Sequence, residues 1–196
     1  MAKVLEQGRD FVILYKEAGE DSEKTAPSGM GVLYRLDMPV AGLIAAAKSG
    51  SEFEILSKRY FLICAGKLEN NTGTMEDFLY HDPRSNRTFP VKKIRKGVKE
   101  AKLSYEVLGY DAKEDLSFVS AVLDTGRTHQ IRVHLSYIGH PVLGDDVYGK
   151  PYKGLEGQCL HARKIGFVHP TTGEYMEFES DLPDYFVSVL NKLEKM

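Results

Sequence analysis

The 196 residues, 42% of them hydrophobic, suffice for a sizeable core in one domain, and a charged fraction of 28% with 10% aromatics argues against disorder. A net charge of −2 gives no overall basic footprint of the kind nucleic-acid binders show, and Cys64 and Cys159 lack the spacing of a zinc site or a disulfide scaffold, so they read as buried free thiols. Residues 1–7 carry no apolar signal core and no run is long enough to cross a bilayer, so a cytoplasmic protein without membrane association is expected.

Residues 11–15, Phe-Val-Ile-Leu-Tyr, are a short apolar run that reads as a buried strand, and residues 16–31, rich in Gly, Ser and Glu and holding Pro27, read as a loop. Residues 42–47 are rich in alanine, but their length and flanking glycines suit a buried strand better than a helix. Residues 51–58 set Phe53, Ile55 and Leu56 among polar neighbours and predict a short amphipathic helix capped by Ser49 or Ser51. Residues 60–65 return to strand, and residues 91–95 fit a strand or a loop edge.

Residues 103–108 alternate apolar and polar side chains and residues 116–123 are β-rich, which predicts two neighbouring strands across a turn. The period then changes, because Ile131, Leu135 and Ile138 make one helical face, with Thr128 as a cap and Gly139 and Pro141 as a stop. Residues 160–169 and 175–178 read as further strands and residues 184–195 as a terminal helix. The class is α+β, mostly antiparallel strands with a few helices packed on them.

Charge is uneven along the chain. Arg84, Arg87, Lys92, Lys93, Arg95, Lys96, Lys99 and Lys102 face the single acid Glu100 in residues 84–102, whereas residues 174–196 hold six acids and two lysines. The basic run permits contact with phosphate, although a solvated face is the ordinary reading. His129 and His134 stand five apart, which on a helix turns them to different faces, so no metal site is expected. Residues 144–151 nearly spell a phosphate-binding loop, but Pro151 replaces the magnesium-holding hydroxyl and removes a backbone donor.

Three segments are unusual as plain structure. In Tyr34-Arg35-Leu36-Asp37-Met38-Pro39, a strand would point Arg35 and Asp37 into one cleft, and a surface ion pair at a turn made by Pro39 is the other reading. Tyr60 opens a buried strand, where an ordinary core tyrosine would serve as well. Asp124-Thr125-Gly126-Arg127-Thr128-His129-Gln130-Ile131-Arg132-Val133-His134 concentrates donors ahead of a helix while keeping its apolar stripe, which fits a site for an anion or a carboxylate.

In this order the segments resemble the RluA-like family of RNA pseudouridine synthases, whose pattern is His-Arg-Leu-Asp, a strand-borne Tyr, then Thr-Gly-Arg-x-His-Gln-[Ile/Leu]-Arg-Val-His. The likeness continues through Gly139-His140-Pro141-Val142-Leu143-Gly144-Asp145 with Tyr148-Gly149, and through Leu160-His161-Ala162 with His169-Pro170. Tyr34 stands where the family has His, Glu17 where it has Pro, and Val40-Ala41 where it has Thr-Ser, and the links from Gly19 to Tyr34 and from Asp37 to Tyr60 are short for the family.

The resemblance implies a mixed, largely antiparallel sheet with flanking helices and a central cleft. It implies Asp37 as the catalytic aspartate, Tyr60 as the tyrosine facing the uracil and Arg132 as the aspartate's basic partner. Arg35, Arg127, His129, Gln130 and Leu160 are the implied substrate-binding residues. The implied reaction is isomerisation of a uridine in rRNA or tRNA, through nucleophilic attack on C1′ or a glycal route, and it needs no cofactor and no metal. The target nucleotide would be flipped out, with residues 84–102 gripping phosphates. A single catalytic domain over residues 1–196 is expected, without an amino-terminal S4 domain and acting as a monomer. An RNA-binding protein on the same fold that has lost catalysis is the alternative.

Overall fold

The computed structural model describes residues 2–51, 54–155, 157–169 and 172–193. Phe53 of the expected helix, Pro170 of the His169-Pro170 match and the end of the expected terminal helix, residues 194–195, lie outside the described residues. The strands are β1 (Lys3–Gln7), β2 (Phe11–Lys16), β3 (Met30–Val32), β4 (Ala41–Lys48), β5 (Glu54–Ala65), β6 (Thr72–Asp82), β7 (Arg87–Pro90), β8 (Val98–Asp111), β9 (Leu116–Leu123), β10 (Leu160–Val168) and β11 (Tyr175–Glu179). The helices are α1 (Ser22–Thr25), α2 (Gln130–Tyr137) and α3 (Asp184–Leu190).

One sheet runs in the order β1-β2-β4-β10-β5-β9-β8-β6-β7, with β11 added on β10 and β3 on β4. Every pairing is antiparallel except β10 with β4, where His161 and Ala162 lie beside Ala41 and Gly42. The sheet is therefore mixed and largely antiparallel, as the sequence implies. That parallel contact explains Gly42. Its φ is +130°, and a Cβ there would stand 2.6 Å from the backbone nitrogen of Ala162, so a side chain cannot fit between the strands.

Alternate residues of the central strands feed opposite faces, as the two-residue period demands. Val12, Leu14, Ile44, Ala46, Tyr60 and Leu62 join Ile131 and Leu135 of α2 in the main core. Phe11, Ile13, Leu43, Ala45 and Ala47 pack with Ile165 and Phe167 on the reverse face. A strand buried on both faces reads as a continuous apolar run, which is why residues 42–47 show no alternation. Each fully buried Leu or Ile stabilises the fold by about 1.5–3 kcal/mol. The third cluster, with Ile63 and Leu116, is closed by Phe186 and Val189 of α3.

Several sequence expectations are corrected. No helix covers residues 54–58. Ser51 closes a turn by hydrogen bonds to the Lys48 carbonyl, and β5 then pairs Ile55 with Phe167, Ser57 with Gly166 and Lys58 with Ile165. Ile55 packs on the reverse-face core while Leu56 is exposed, so these residues follow strand alternation, which eight residues of mixed polarity disguise as helical spacing. Within the expected loop at residues 16–31, Asp21 caps the four-residue α1 by accepting from the Glu23 N–H at 3.0 Å, and β3 begins at Met30. Residues 91–95 belong to an irregular link between β7 and β8.

Thr128 does not cap α2. The capping position is His129, in the left-handed region at φ 58°, with no side-chain cap. The helix stops where expected, since Gly139 takes a positive φ of 90° and donates to the Ser136 carbonyl. Ile138, the last residue of the predicted apolar face, is exposed at the cap instead of packing in the core. Among the described residues no helix is long and apolar enough to cross a membrane.

Candidate active site

Asp37 stands just before β4, in a turn where its own carbonyl accepts the Val40 N–H at 3.0 Å and Met38 and Pro39 make the bend. The flanking Leu36 and Val40 bury into the main core beside Tyr60 and Leu160, which leaves the aspartate side chain at the mouth, 22% exposed. Two buried polar side chains hold this turn from behind. Ser22 of α1 donates from its hydroxyl to the Leu36 carbonyl and accepts the Leu36 N–H, both at 3.0 Å. Lys16, at the end of β2, donates to the carbonyls of Glu17 at 2.8 Å, Met38 at 3.2 Å and Val40 at 2.7 Å.

Burial pulls the Lys16 ammonium down to about 8, although the charges of Glu20, Asp37, Asp21 and Glu17 pull upward. An unfolded chain keeps this proton up to about 10.5. Between these values the unfolded state binds more protons, so stability rises with pH, and below the lower one the full cost of burying the charge is present. Lys16→Met is expected to remove that rise. Urea midpoints at about pH 7.5 and about pH 10 check this, the wild type gaining more than the variant between them.

The partner of Asp37 is Arg132 on α2. Its Nη1 donates to Asp37 Oδ2 at 2.9 Å, and its Nε and Nη2 form a two-pronged contact with Asp145, at 2.7 Å to Oδ2 and 2.9 Å to Oδ1. Arg132 is 3% exposed and Asp145 0%. Burial opposes the guanidinium charge, but the hydrogen bonds and charges of Asp145 and Asp37 outweigh it, so Arg132 is held above its ordinary range. Burial pushes Asp145 up, while Arg132 and the N–H groups of Tyr148 and Val147 bring it below the usual value. Asp145 thus fixes the guanidinium plane with two contacts and leaves the third prong for Asp37.

His129 approaches the same Asp37 oxygen, with Nε2 at 3.9 Å from Oδ2. Its Nδ1 lies 2.8 Å from the Tyr148 hydroxyl, which also accepts the Thr88 N–H at 2.7 Å. Arg132 and Arg87 both lie against the Tyr148 ring, at 5.2 Å and 5.4 Å from its centre. The left-handed backbone at His129 costs about 1–2 kcal/mol, a strain that the surrounding contacts hold in place.

Tyr60 lies in β5 between Ala121 of β9 and Ala162 of β10. Burial first, and the negative charge of Asp37 second, raise its pKa, so the phenol keeps its proton. Leu160 opens β10 opposite Leu62 and is buried in the same cluster.

The structure therefore gathers Asp37, Arg132, His129, Tyr60 and Leu160. It does not bring Arg35 to them. Residues 33–37 are not a strand, and Arg35 turns outward, 66% exposed, to pair with Glu23 at 3.3 Å. Gln130 is occupied within the protein, its Oε1 accepting from the Thr125 hydroxyl and the Arg127 N–H and its Nε2 donating to the Lys102 carbonyl. It shapes the loop before α2. Arg127 anchors Nε on the Glu100 carbonyl at 2.7 Å and lies close enough to Lys58 for the two charges to interact, which places a pair of cations on one rim.

The sequence reading missed Asp145, Tyr148, Thr88 and Lys16. Asp145 and Tyr148 sit in the stretch that nearly spells a phosphate loop and within the family likeness, which assigns neither of them a role. Among residues 84–102, Arg87 reaches the site region through the Val147 carbonyl and the Tyr148 ring, Arg95 lies over Tyr80 and Lys102 pairs with Glu76.

Residues 14–137 match the RNA pseudouridylate synthase family. The chain belongs to that family. It is 36% identical over 176 residues to an uncharacterised RNA pseudouridine synthase of Bacillus subtilis, covering 84% of this chain and 56% of that protein. A second such synthase, of Aquifex aeolicus, is 37% identical over 183 residues, covering 84% and 57%. The ribosomal large subunit pseudouridine synthase D of Zymomonas mobilis is 30% identical over 189 residues, covering 87% and 58%. The chain thus spans a little over half the length of these relatives. The solved structure of human RNA pseudouridylate synthase domain containing 1 superimposes with a TM-score of 0.75, covering 97% of this chain and 86% of that one at 24% identity, which establishes the pseudouridine synthase fold.

Proposed function

We propose that this chain isomerises a uridine of ribosomal or transfer RNA to pseudouridine, with Asp37 as catalytic carboxylate, Tyr60 as the ring against the uracil and Arg132 as the cation beside the aspartate. The observation that carries this reading is the part-exposed carboxylate of Asp37, with one oxygen 2.9 Å from a buried guanidinium that the fully buried Asp145 holds from behind. The other Asp37 oxygen has no hydrogen-bond partner among the described residues, and the turn bearing it rests on the cluster that holds Tyr60 and Leu160. The name of one relative specifies the large ribosomal subunit, which favours rRNA as substrate.

In the nucleophilic route, an oxygen of Asp37 attacks C1′ as the C1′–N1 bond breaks, the freed uracil turns, and C5 bonds to C1′ as the ester bond breaks. In the glycal route, Asp37 takes a sugar proton and later returns it. In both, C5 loses one hydrogen and N1 gains one, so mass is unchanged and the atom balance requires no oxidant or reductant. Tyr60 keeps its proton, so stacking suits it better than service as a base. The target base must leave its stack, and the cations of residues 84–102 with Arg127 are the residues proposed to grip the flanking phosphates.

Carbodiimide mapping of pseudouridine in rRNA and tRNA from cells with and without the gene tests the reading. Loss of a site on deletion, and its return with purified protein, is the expected result. If no site disappears and purified protein leaves uridine unchanged in both RNAs, the enzymatic reading fails and an RNA-binding role without catalysis replaces it.

A further inference from the structure

We propose that His129 is a positioning residue, locked by Tyr148 as the neutral tautomer whose Nε2–H faces Asp37 Oδ2, so that Oδ1 is left as the reacting oxygen. The proposal rests on the reading of Asp37 as the catalytic carboxylate and adds which of its oxygens acts and what selects it.

The Tyr148 hydroxyl has one proton, and its oxygen already accepts the Thr88 N–H at 2.7 Å. Two groups stand where that proton could go: His129 Nδ1, at 2.8 Å, and the Thr88 hydroxyl, which is already engaged with the Thr128 carbonyl and His81. The phenol proton therefore points at Nδ1. A neutral imidazole that accepts at Nδ1 carries its own proton on Nε2, and Nε2 is the nitrogen turned toward Asp37, 3.9 Å from Oδ2.

Thr88 is itself fixed. Its hydroxyl donates to the Thr128 carbonyl at 3.0 Å, so the His81 nitrogen at 3.1 Å from the same oxygen is a donor. Tyr148 is held by Thr88 on one side and by the guanidinium faces of Arg87 and Arg132 on its ring. The groups facing His129 from the packed elements are Asp37 and Asp145, which favour its protonation, and Arg132 and His81, which with burial disfavour it. Burial is the largest of these, and the net effect keeps the ring neutral near pH 7.

His129 takes φ 58°, a left-handed conformation uncommon outside glycine, at the residue that caps α2, and its ring stands with Nε2 toward the aspartate turn. Arg132 Nη1 donates to Oδ2 at 2.9 Å, and His129 Nε2 faces the same oxygen from 3.9 Å, beyond hydrogen-bond distance in this structure. Both groups lie on the Oδ2 side, which makes the two carboxylate oxygens inequivalent.

The test reads the tautomer directly. In the full chain labelled with nitrogen-15, two-bond proton–nitrogen correlation spectra at about pH 7 report which ring nitrogen is protonated, and loss of one ring's signals in His129→Gln assigns His129 apart from His81. The expected result is protonated Nε2 in the wild type and a mixture of both tautomers in Tyr148→Phe. In turnover assays, Tyr148→Phe is expected to lower kcat about tenfold with KM for RNA unchanged. His129→Gln, whose amide nitrogen can replace Nε2, is expected to keep more activity than His129→Asn, whose amide reaches only the Nδ1 position.

A wild-type ring protonated at Nδ1, or at both nitrogens, would overturn the proposal, and so would unchanged kcat in Tyr148→Phe. The spectra do not depend on turnover. A protein with the expected tautomer that isomerises no uridine would refute the enzymatic reading and leave the tautomer assignment standing.

Discussion

Arg132→Met is expected to destabilise the fold by about 3–5 kcal/mol, because it strands Asp145 as a charge without its partner in a fully buried place. Methionine replaces most of the aliphatic stem, so lost packing is the smaller part of the effect. Thermal unfolding should shift down by about 10 °C or more for a chain of this size. Arg132→Lys should also lose most of the benefit, since an ammonium cannot span both Asp145 oxygens and Asp37 at once.

The double variant Arg132→Met with Asp145→Asn should cost less than the sum of the single changes, because the stranded charge leaves with its partner. Equal sums would show that the pair is not a unit. The pH dependence has a definite sign. Asp145 titrates below its ordinary 3.8 in the folded chain, so its contribution is present above that value and is lost as pH falls through the lowered folded pKa. Acid unfolding curves of wild type and Asp145→Asn should therefore separate above about pH 4 and approach one another below it.

How much of this was legible in the sequence depended on the kind of signal. Residues 42–47 read as strand because a short apolar run between glycines has few other uses, and both faces of β4 are indeed covered. Leu103 to Leu108 and the stripe of Ile131 and Leu135 were legible by period alone. The first half of β5 was not, since Leu56 is exposed while Ser57 and Lys58 are half-buried, and its pairing with β10 comes from a segment about a hundred residues away, beyond any local pattern.

The site follows the same division. Arg132 and Asp37 are 95 residues apart, and only the resemblance joined them. Arg35, two positions from the aspartate, looked like its natural partner, yet without a strand there it turns to Glu23. Asp145 and Tyr148 stand in an irregular segment, and Thr88 of β7 meets Tyr148 by a hydrogen bond spanning 60 residues, so none of the three leaves a periodic trace. In sequence Lys16 reads as the first residue of a loop, and its burial under three carbonyls is visible only once the Asp37 turn is folded over it.

The second large effect is on chemistry. Asp37→Asn is expected to lower pseudouridine formation at least about a thousandfold while leaving the fold and RNA affinity nearly unchanged. The amide oxygen can still accept from Arg132 Nη1, and the side chain sits at the mouth of the site, 22% exposed, so no buried charge is stranded by its loss. What disappears is the anionic oxygen that must attack C1′ or take the sugar proton. If binding fell together with turnover, Asp37 would be holding the RNA surface and not performing chemistry.

Tritium release decides the point most directly. RNA from cells lacking the gene, labelled with tritium at uridine C5, loses that label to water whenever C5 becomes bonded to C1′. The account predicts release by the wild-type chain and none above background by Asp37→Asn, with melting curves and RNA binding matched between the two. Equal release by Asp37→Asn would contradict it.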